Sequence, residues 1–230
     1  MVKAHQDFEK NIGYSFKDPQ LLEVVFTHRS YLNEHRGLKL EHNERMEFLG
    51  DAVLELVVTE YLYKHYPNPE GELTSWRSAL VRGTSLSAVA GKIGLGKYLK
   101  MSRGEAKSSG KSRSLILANA LEALIGALFL DSGLVAPEKF IKKYIIKDLE
   151  NIISQGLYRD AKSALQEIIQ EREGTTPVYK IISETGPDHN KIFVSAVMAR
   201  ERELARGEGS SKQAAEQEAA RHALIIIESD

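Results

Sequence analysis

The chain of 230 residues contains no cysteine. That excludes a disulfide framework and any thiolate metal or redox site. Net charge is nearly absent too: the formal value is only −1, so the overall balance points to no polyanionic partner. Residues 1 to 20 carry charges throughout and lack the apolar h-region of a secretory leader. No internal repeat and no low-complexity tract interrupts the chain. What remains is a composition with 42% hydrophobic residues, enough for one or two globular domains with real cores. The expectation is a cytoplasmic protein.

Charge is uneven along the chain. Residues 73–113 hold nine cations, Arg77, Arg82, Lys92, Lys97, Lys100, Arg103, Lys107, Lys111 and Arg113, against the single acid Glu105. A solvated basic face is the usual meaning of such a run. Beside an acid-lined site it has a second meaning, because cations meet phosphates while acids gather a metal at the scissile one.

An acid-lined site is legible in residues 43–54, Asn-Glu-Arg-Met-Glu-Phe-Leu-Gly-Asp-Ala-Val-Leu. The pattern predicts a helix with Glu44, Glu47, Asp51 and Glu55 on one stripe, where like charges three and four apart repel. The other positions, including Met46, Leu49, Val53, Leu54 and Val57, are apolar. Acids held beside a buried face call for a hard divalent ion such as Mg2+. Taken alone, an acidic stripe is more often a solvated face. A second segment, 115–130, is apolar except for Asn119 and Glu122, whose spacing of three puts them on one helix face. A carboxylate in so apolar a helix is costly unless paired or metal-bound. The segment reads as too short and too charged to span a membrane.

Residues 1 to about 150 read as nearly all helix. A short helix starts at Asp18-Pro19, and the acid-striped helix runs towards Tyr66. Pro67-Asn68-Pro69-Glu70-Gly71 breaks it. Thr74 or Ser75 is expected to cap a helix carrying Leu80, Val81, Leu86, Val89 and Ala90. A Gly/Ser/Lys-rich connection covers 91–110, the apolar helix follows to Asp131-Ser132-Gly133, and a last helix covers Pro137 to about Ile152. Asn151 to Arg159 reads as a linker. Beyond it the pattern changes to a helix over 161–173, strands over 177–183, 192–199 and 202–206, and a final Ala-rich helix: αβββα in about 70 residues.

Together with Thr27-His28-Arg29-Ser30, Glu70-Gly71-Glu72-Leu73-Thr74 and the run 104–133, residues 43–54 resemble the signature of the ribonuclease III family. Residues 160 onward, with Leu165-Gln166-Glu167, the Gly-x-Gly-Ser-Ser-Lys turn and the Ala-rich helix, resemble its double-stranded-RNA-binding domain. The resemblance implies two domains: an all-α endonuclease domain over 1–153, a linker over 154–159, and a small α+β (αβββα) RNA-binding domain over 160–229. It implies a homodimer formed through the endonuclease domain, with Phe48 packing into the other subunit. The implied activity is Mg2+-dependent hydrolysis of double-stranded RNA, with Mn2+ able to substitute. The ends would be 5′-phosphate and 3′-hydroxyl with short 3′ overhangs, in rRNA and mRNA precursor processing. Neither a membrane nor a small-molecule substrate is expected.

Residue by residue, Asp51 and Glu122 match the family's catalytic acids. Glu47, Asn119, Glu122 and Asp51 match its metal-binding positions, and Glu44 and Glu70 its supporting acids. Ser163, Gln166 and Glu167 match minor-groove contacts, and His189 a second groove contact. Ser210, Ser211, Lys212 and Gln213 match the phosphate-holding start of the last helix. Two departures stand out. The family's usual Asp is Asn119 here, which offers a carbonyl without negative charge. Residues 156–230 hold ten Lys and Arg against thirteen Asp and Glu, so the RNA-binding domain lacks much of the usual phosphate-binding charge. The first departure keeps an alternative open: a duplex-RNA-binding protein of the same fold with impaired catalysis.

Overall fold

A computed structural model describes residues 2–35, 37–154, 161–187 and 191–229. The chain divides into two compact units, residues 1–158 and 159–230.

The described part of the first unit is all helix. Its elements are α1 (Val2–Ile12), α2 (Gln20–Val25), α3 (Arg29–Glu34), α4 (Glu44–His65), α5 (Glu70–Val81), α6 (Gly83–Lys92), α7 (Arg103–Ala106), α8 (Gly110–Ser132), α9 (Val135–Tyr144) and α10 (Leu149–Ser154). Short 3-10 turns cover Leu95–Lys97 and Ile146–Asp148. The two long helices, α4 and α8, pack against each other at the centre. Their closest approach has a simple steric cause. A Cβ on Gly50 would land on the backbone carbonyl of Glu122, and one on Gly126 would land on that of Met46. Gly50 faces Glu122 while Gly126 faces Met46, so the helices run in opposite directions. Around the crossing, Leu54, Val58, Leu121, Leu124, Ile125 and Leu128 are fully buried. Each contributes roughly 1.5–3 kcal/mol of transfer free energy.

Four expectations for this unit need correction. Thr74 and Ser75 do not start a helix. They lie inside α5, donating to the Glu70 carboxylate at 2.9 Å and to the Gly71 carbonyl at 2.8 Å. The apolar stretch after them is two helices, because Arg82 adopts an extended conformation (φ −61°, ψ 145°) between α5 and α6. The stretch from Pro137 to Ile152 is likewise broken, into α9, a 3-10 turn and α10. Finally, α8 has 23 residues, and its length and composition alone would suit a membrane span. What marks it as a core helix is that more than half of its most apolar stretch is buried inside the protein.

The second unit is α11 (Ala161–Glu173), β1 (Val178–Thr185), β2 (Ile192–Ala199), β3 (Arg202–Gly209) and α12 (Lys212–Ser229). The sheet is antiparallel in the order β1-β2-β3, with Val178 opposite Met198 and Val197 opposite Ala205. Both helices contribute to its core, through Leu165 and Ile169 of α11 and Ala219, Ala220 and Ala223 of α12. The small side chains of α12 let it lie close to the sheet. β2 does not alternate between apolar and polar residues because it is the central strand: Ser195, Ala196 and Val197 are all fully buried. Asn151 to Ser154, expected to open the linker, belong to α10; residues 155–160 lie outside the described residues.

Candidate functional site

The α4–α8 crossing determines where the acids lie. Glu47 and Asp51 sit one turn apart on α4, flanking Gly50. Asn119 and Glu122 sit one turn apart on α8, and the Glu122 backbone touches Gly50. Close contact of the two helices therefore brings three carboxylates and an amide into one region at the rim of the core. Asp51 is exposed, while Glu47, Asn119 and Glu122 are half-buried.

The electrostatics record this crowding. Burial pushes the Glu122 carboxyl up to about 7, and the charges of Asp51 and Glu47 add to the shift. Burial also raises Glu47, reinforced by Glu44 and Asp51 and opposed by a hydrogen bond from Asn119. Near neutral pH a carboxyl poised this way is half protonated, and a cation placed among the three would relieve both burial and repulsion. The donor set is all oxygen: three carboxylates and an amide carbonyl. That suits Mg2+ or Mn2+. Among the described residues, no three His, Cys, Asp or Glu side chains stand close enough to hold an ion as placed.

The remaining residues divide clearly. Glu44 is next to Glu47 in the helix but turns outward, 3.7 Å from Arg29 and 3.7 Å from His42. Glu55 leaves the acidic stripe by pairing with Arg77 at 2.9 Å. Glu70 opens α5 and lines a separate hollow of about 650 Å³ with Tyr63, Tyr66 and Leu73. Phe48 is 81% exposed and borders an open hollow of about 610 Å³ lined by Val24, Met46, Leu49 and Leu130 together with Glu41, His42, Glu44 and Arg45. Of the nine cations in 73–113, Arg77, Lys92 and Lys100 are committed to ion pairs with Glu55, Asp148 and Glu23. Arg113 turns in to the Gly96 carbonyl at 3.2 Å. The basic surface is therefore smaller than the count suggests, and Arg103, Lys107 and Lys111 are its exposed core near the start of α8.

In the second unit, Ser163, Gln166 and Glu167 are exposed on α11, on the side opposite the buried Leu165 and Ile169. Ser211 caps α12, its Oγ accepting from the Ala214 N–H at 3.2 Å. Ser210, Lys212 and Gln213 are exposed around that helix start. His189 lies outside the described residues.

Comparisons with known proteins agree with these two units. Residues 18–149 match the family model described as ribonuclease-III-like. The chain belongs to the ribonuclease III family. Residues 161–227 match the double-stranded RNA binding motif. The chain is 44% identical over 229 residues to ribonuclease 3 of Protochlamydia amoebophila, covering 99% of this chain and 94% of that one. It is 45% identical over 225 residues to that of Streptococcus thermophilus, covering 97% and 98%. Among solved structures, it is similar to the nuclease domain of ribonuclease III from Campylobacter jejuni, described for flexibility in a region involved in dimer formation. The TM-score is 0.55 at 41% identity, over 61% of this chain and 94% of that domain. The protein is thus an endoribonuclease of ribonuclease III type with a double-stranded-RNA-binding domain, and its all-α plus αβββα architecture is the one expected.

The glycine pair escaped the reading of the sequence. Gly50 and Gly126 carry no chemistry, but they determine how closely Glu122 approaches Glu47 and Asp51. The available signal was a lone glycine inside each helical pattern, Gly50 in α4 and Gly126 in α8, each costly unless packing needs it.

Proposed function

We propose that this ribonuclease III hydrolyses double-stranded RNA with Mg2+ held by Glu47, Asp51, Glu122 and the Asn119 carbonyl. The observation that supports it best is the Glu122 carboxyl, pushed to about 7 beside Asp51 and Glu47. When bound, the ion would activate water and stabilise the charge that develops on the phosphate and on the leaving 3′ oxygen. The chain's own residues do the rest. Glu47 and Asp51 hold their places because α4 is pinned to α8. Glu122, half-buried and pushed to about 7, gives up its proton more readily as positive charge enters the site. Arg103, Lys107 and Lys111 meet phosphates of the duplex. The products would be 5′-phosphate and 3′-hydroxyl ends with short 3′ overhangs, and the natural substrates rRNA and mRNA precursors in the cytoplasm.

We also propose a homodimer through the endonuclease unit. An aromatic ring 81% exposed beside a hollow with an apolar floor of Val24, Met46, Leu49 and Leu130 and a rim of Glu41, His42, Glu44 and Arg45 is self-complementary, so each Phe48 can enter the other copy's hollow across a twofold axis. Ser163, Gln166 and Glu167 would face a minor groove, reading 2′-hydroxyls and shape. The start of α12 would hold a phosphate through free N–H groups, Ser210 and Lys212, because the Ser211 hydroxyl is committed to its cap. His189 would supply the second groove contact.

The neutral Asn119 favours a second reading, duplex binding without efficient cleavage. Incubating the pure protein and its Glu122→Ala variant with a labelled RNA duplex and Mg2+ separates the two. Cleavage by the parent that disappears in the variant supports the nuclease. Binding without cleavage at any Mg2+ or Mn2+ concentration supports the alternative.

A further inference from the structure

The Thr27-His28-Arg29-Ser30 motif contributes no acid to the site, yet it joins the two segments that flank it. Thr27 is fully buried. Its Oγ1 donates to the Glu23 carbonyl at 2.7 Å, and its own carbonyl accepts from the Asn43 N–H at 3.0 Å. Asn43, 3% exposed, also donates through Nδ2 to the Val25 carbonyl at 3.2 Å. The residue preceding Glu44 is therefore held at two points, and α4 starts from a fixed place.

The next residue reaches the other way. The His28 N–H donates to the Lys100 carbonyl at 3.0 Å. In the ring, Nδ1 accepts from the Ser30 N–H at 3.3 Å and lies 2.8 Å from the Ser30 hydroxyl. A backbone amide can only donate, so Nδ1 is the unprotonated nitrogen and the hydroxyl donates to it. That leaves the Ser30 oxygen free to accept from the Ser102 N–H at 3.0 Å. Ser102 caps α7, its Oγ accepting from the Glu105 N–H at 3.2 Å. The exposed cations Arg103, Lys107 and Lys111 follow immediately.

We infer that His28 is a positioning residue, acting through Ser30 and Ser102 to hold the basic segment 102–113 in register with the acid-bearing start of α4. A duplex presents its phosphates at fixed separations, so cations and acids serve one strand only if their spacing is fixed as well. A basic segment out of register costs phosphate contacts, and so binding of the duplex, before it costs chemistry. Removing the imidazole frees the Ser30 hydroxyl to turn away from Ser102, and the basic segment loses that attachment. The inference rests on the basic segment meeting RNA, as proposed above.

The test is steady-state cleavage of a labelled RNA duplex in Mg2+ by the full chain and four variants, with thermal melting of each. His28→Ala and Ser30→Ala are expected to raise KM about tenfold while kcat stays within about twofold. His28→Asn, whose Oδ1 accepts the same bonds, returns KM to within about twofold of the parent. His28→Gln, which places its amide at the outer edge of the ring, does not. Unchanged KM in both alanine variants, or a loss of kcat at constant KM, overturns the inference. So does rescue by Gln and not by Asn, which would assign the work to the outer nitrogen. If His28→Ala does not fold, Ser30→Ala decides, since it removes only a hydroxyl. A parent enzyme that neither binds nor cuts the duplex would instead refute the proposed substrate.

Discussion

Replacing Glu122 by Gln should abolish cleavage and, without metal, make the fold more stable. The argument starts from the carboxyl pushed from its ordinary 4.5 up to about 7 by burial and by Asp51 and Glu47. The folded protein holds this proton more tightly than the unfolded chain does. Stability from this group is therefore full below about 4.5, falls as pH rises, and is gone above about 7. The span corresponds to about 3.4 kcal/mol at most. Partial exposure and screening by salt reduce it to roughly 1.5 kcal/mol. In EDTA at pH 8, Glu122→Gln is then expected to melt about 3–6 °C above the parent in the nuclease-unit transition. At pH 4 the two should melt together, because both carry a neutral group there. Mg2+ at about 100 times its Kd should raise the parent by about 2.7 kcal/mol and the variant by much less. Circular dichroism melting at the two pH values, with and without Mg2+, measures all of this. A variant that melts at or below the parent in EDTA at pH 8 would refute the claim that Glu122 is held against its own charge.

Gly50→Ala puts a methyl on the Glu122 carbonyl and should cost more than about 3 kcal/mol, seen as a large fall in denaturation midpoint; a midpoint within experimental error of the parent would contradict the crossing described. Phe48→Ala should weaken self-association about thirtyfold, or roughly 2 kcal/mol, in sedimentation equilibrium, while barely changing monomer stability, since the ring is 81% exposed. Asn119→Asp adds a fourth negative charge to the site. It should lower the Mg2+ concentration for half-maximal cleavage and lower the melting temperature in EDTA, and an unchanged Mg2+ requirement would count against Asn119 as a ligand. The isolated second unit should bind duplex RNA at least about tenfold more weakly than the full chain, because the proposed dimer would engage the duplex at several points at once. Equal affinity in a filter-binding titration would refute that.

The sequence was most informative where one local pattern determines the outcome. The acid stripe and the apolar helix with two polar residues follow from the helix period, and α11 occupies the range that period predicts; β2 also occupies its expected range, 192–199, although it does not alternate. It was least informative where a break depends on backbone geometry that the local pattern barely announces, as between α5 and α6, where Gly83 is the one breaker residue. Arg82 separates two helices while looking like a helix former, and Ser75 looks like a cap while donating to a carbonyl inside α5. The basic run was misleading in another way, since a count of cations does not show which are already paired. The site itself divides along the same line. Which acids matter is legible from their cost among apolar neighbours. How close they come is not, because that distance depends on two glycines seventy-six positions apart in the chain. An acid cluster built on such a crossing is strained before any ion arrives. The same contact that makes Glu122 costly to ionise gives the site its attraction for a divalent cation, and a neutral Asn119 moderates both. A fold that tolerates three crowded carboxylates without metal must lose some affinity for the metal it uses, so Asn119→Asp should shift stability and Mg2+ affinity in opposite directions.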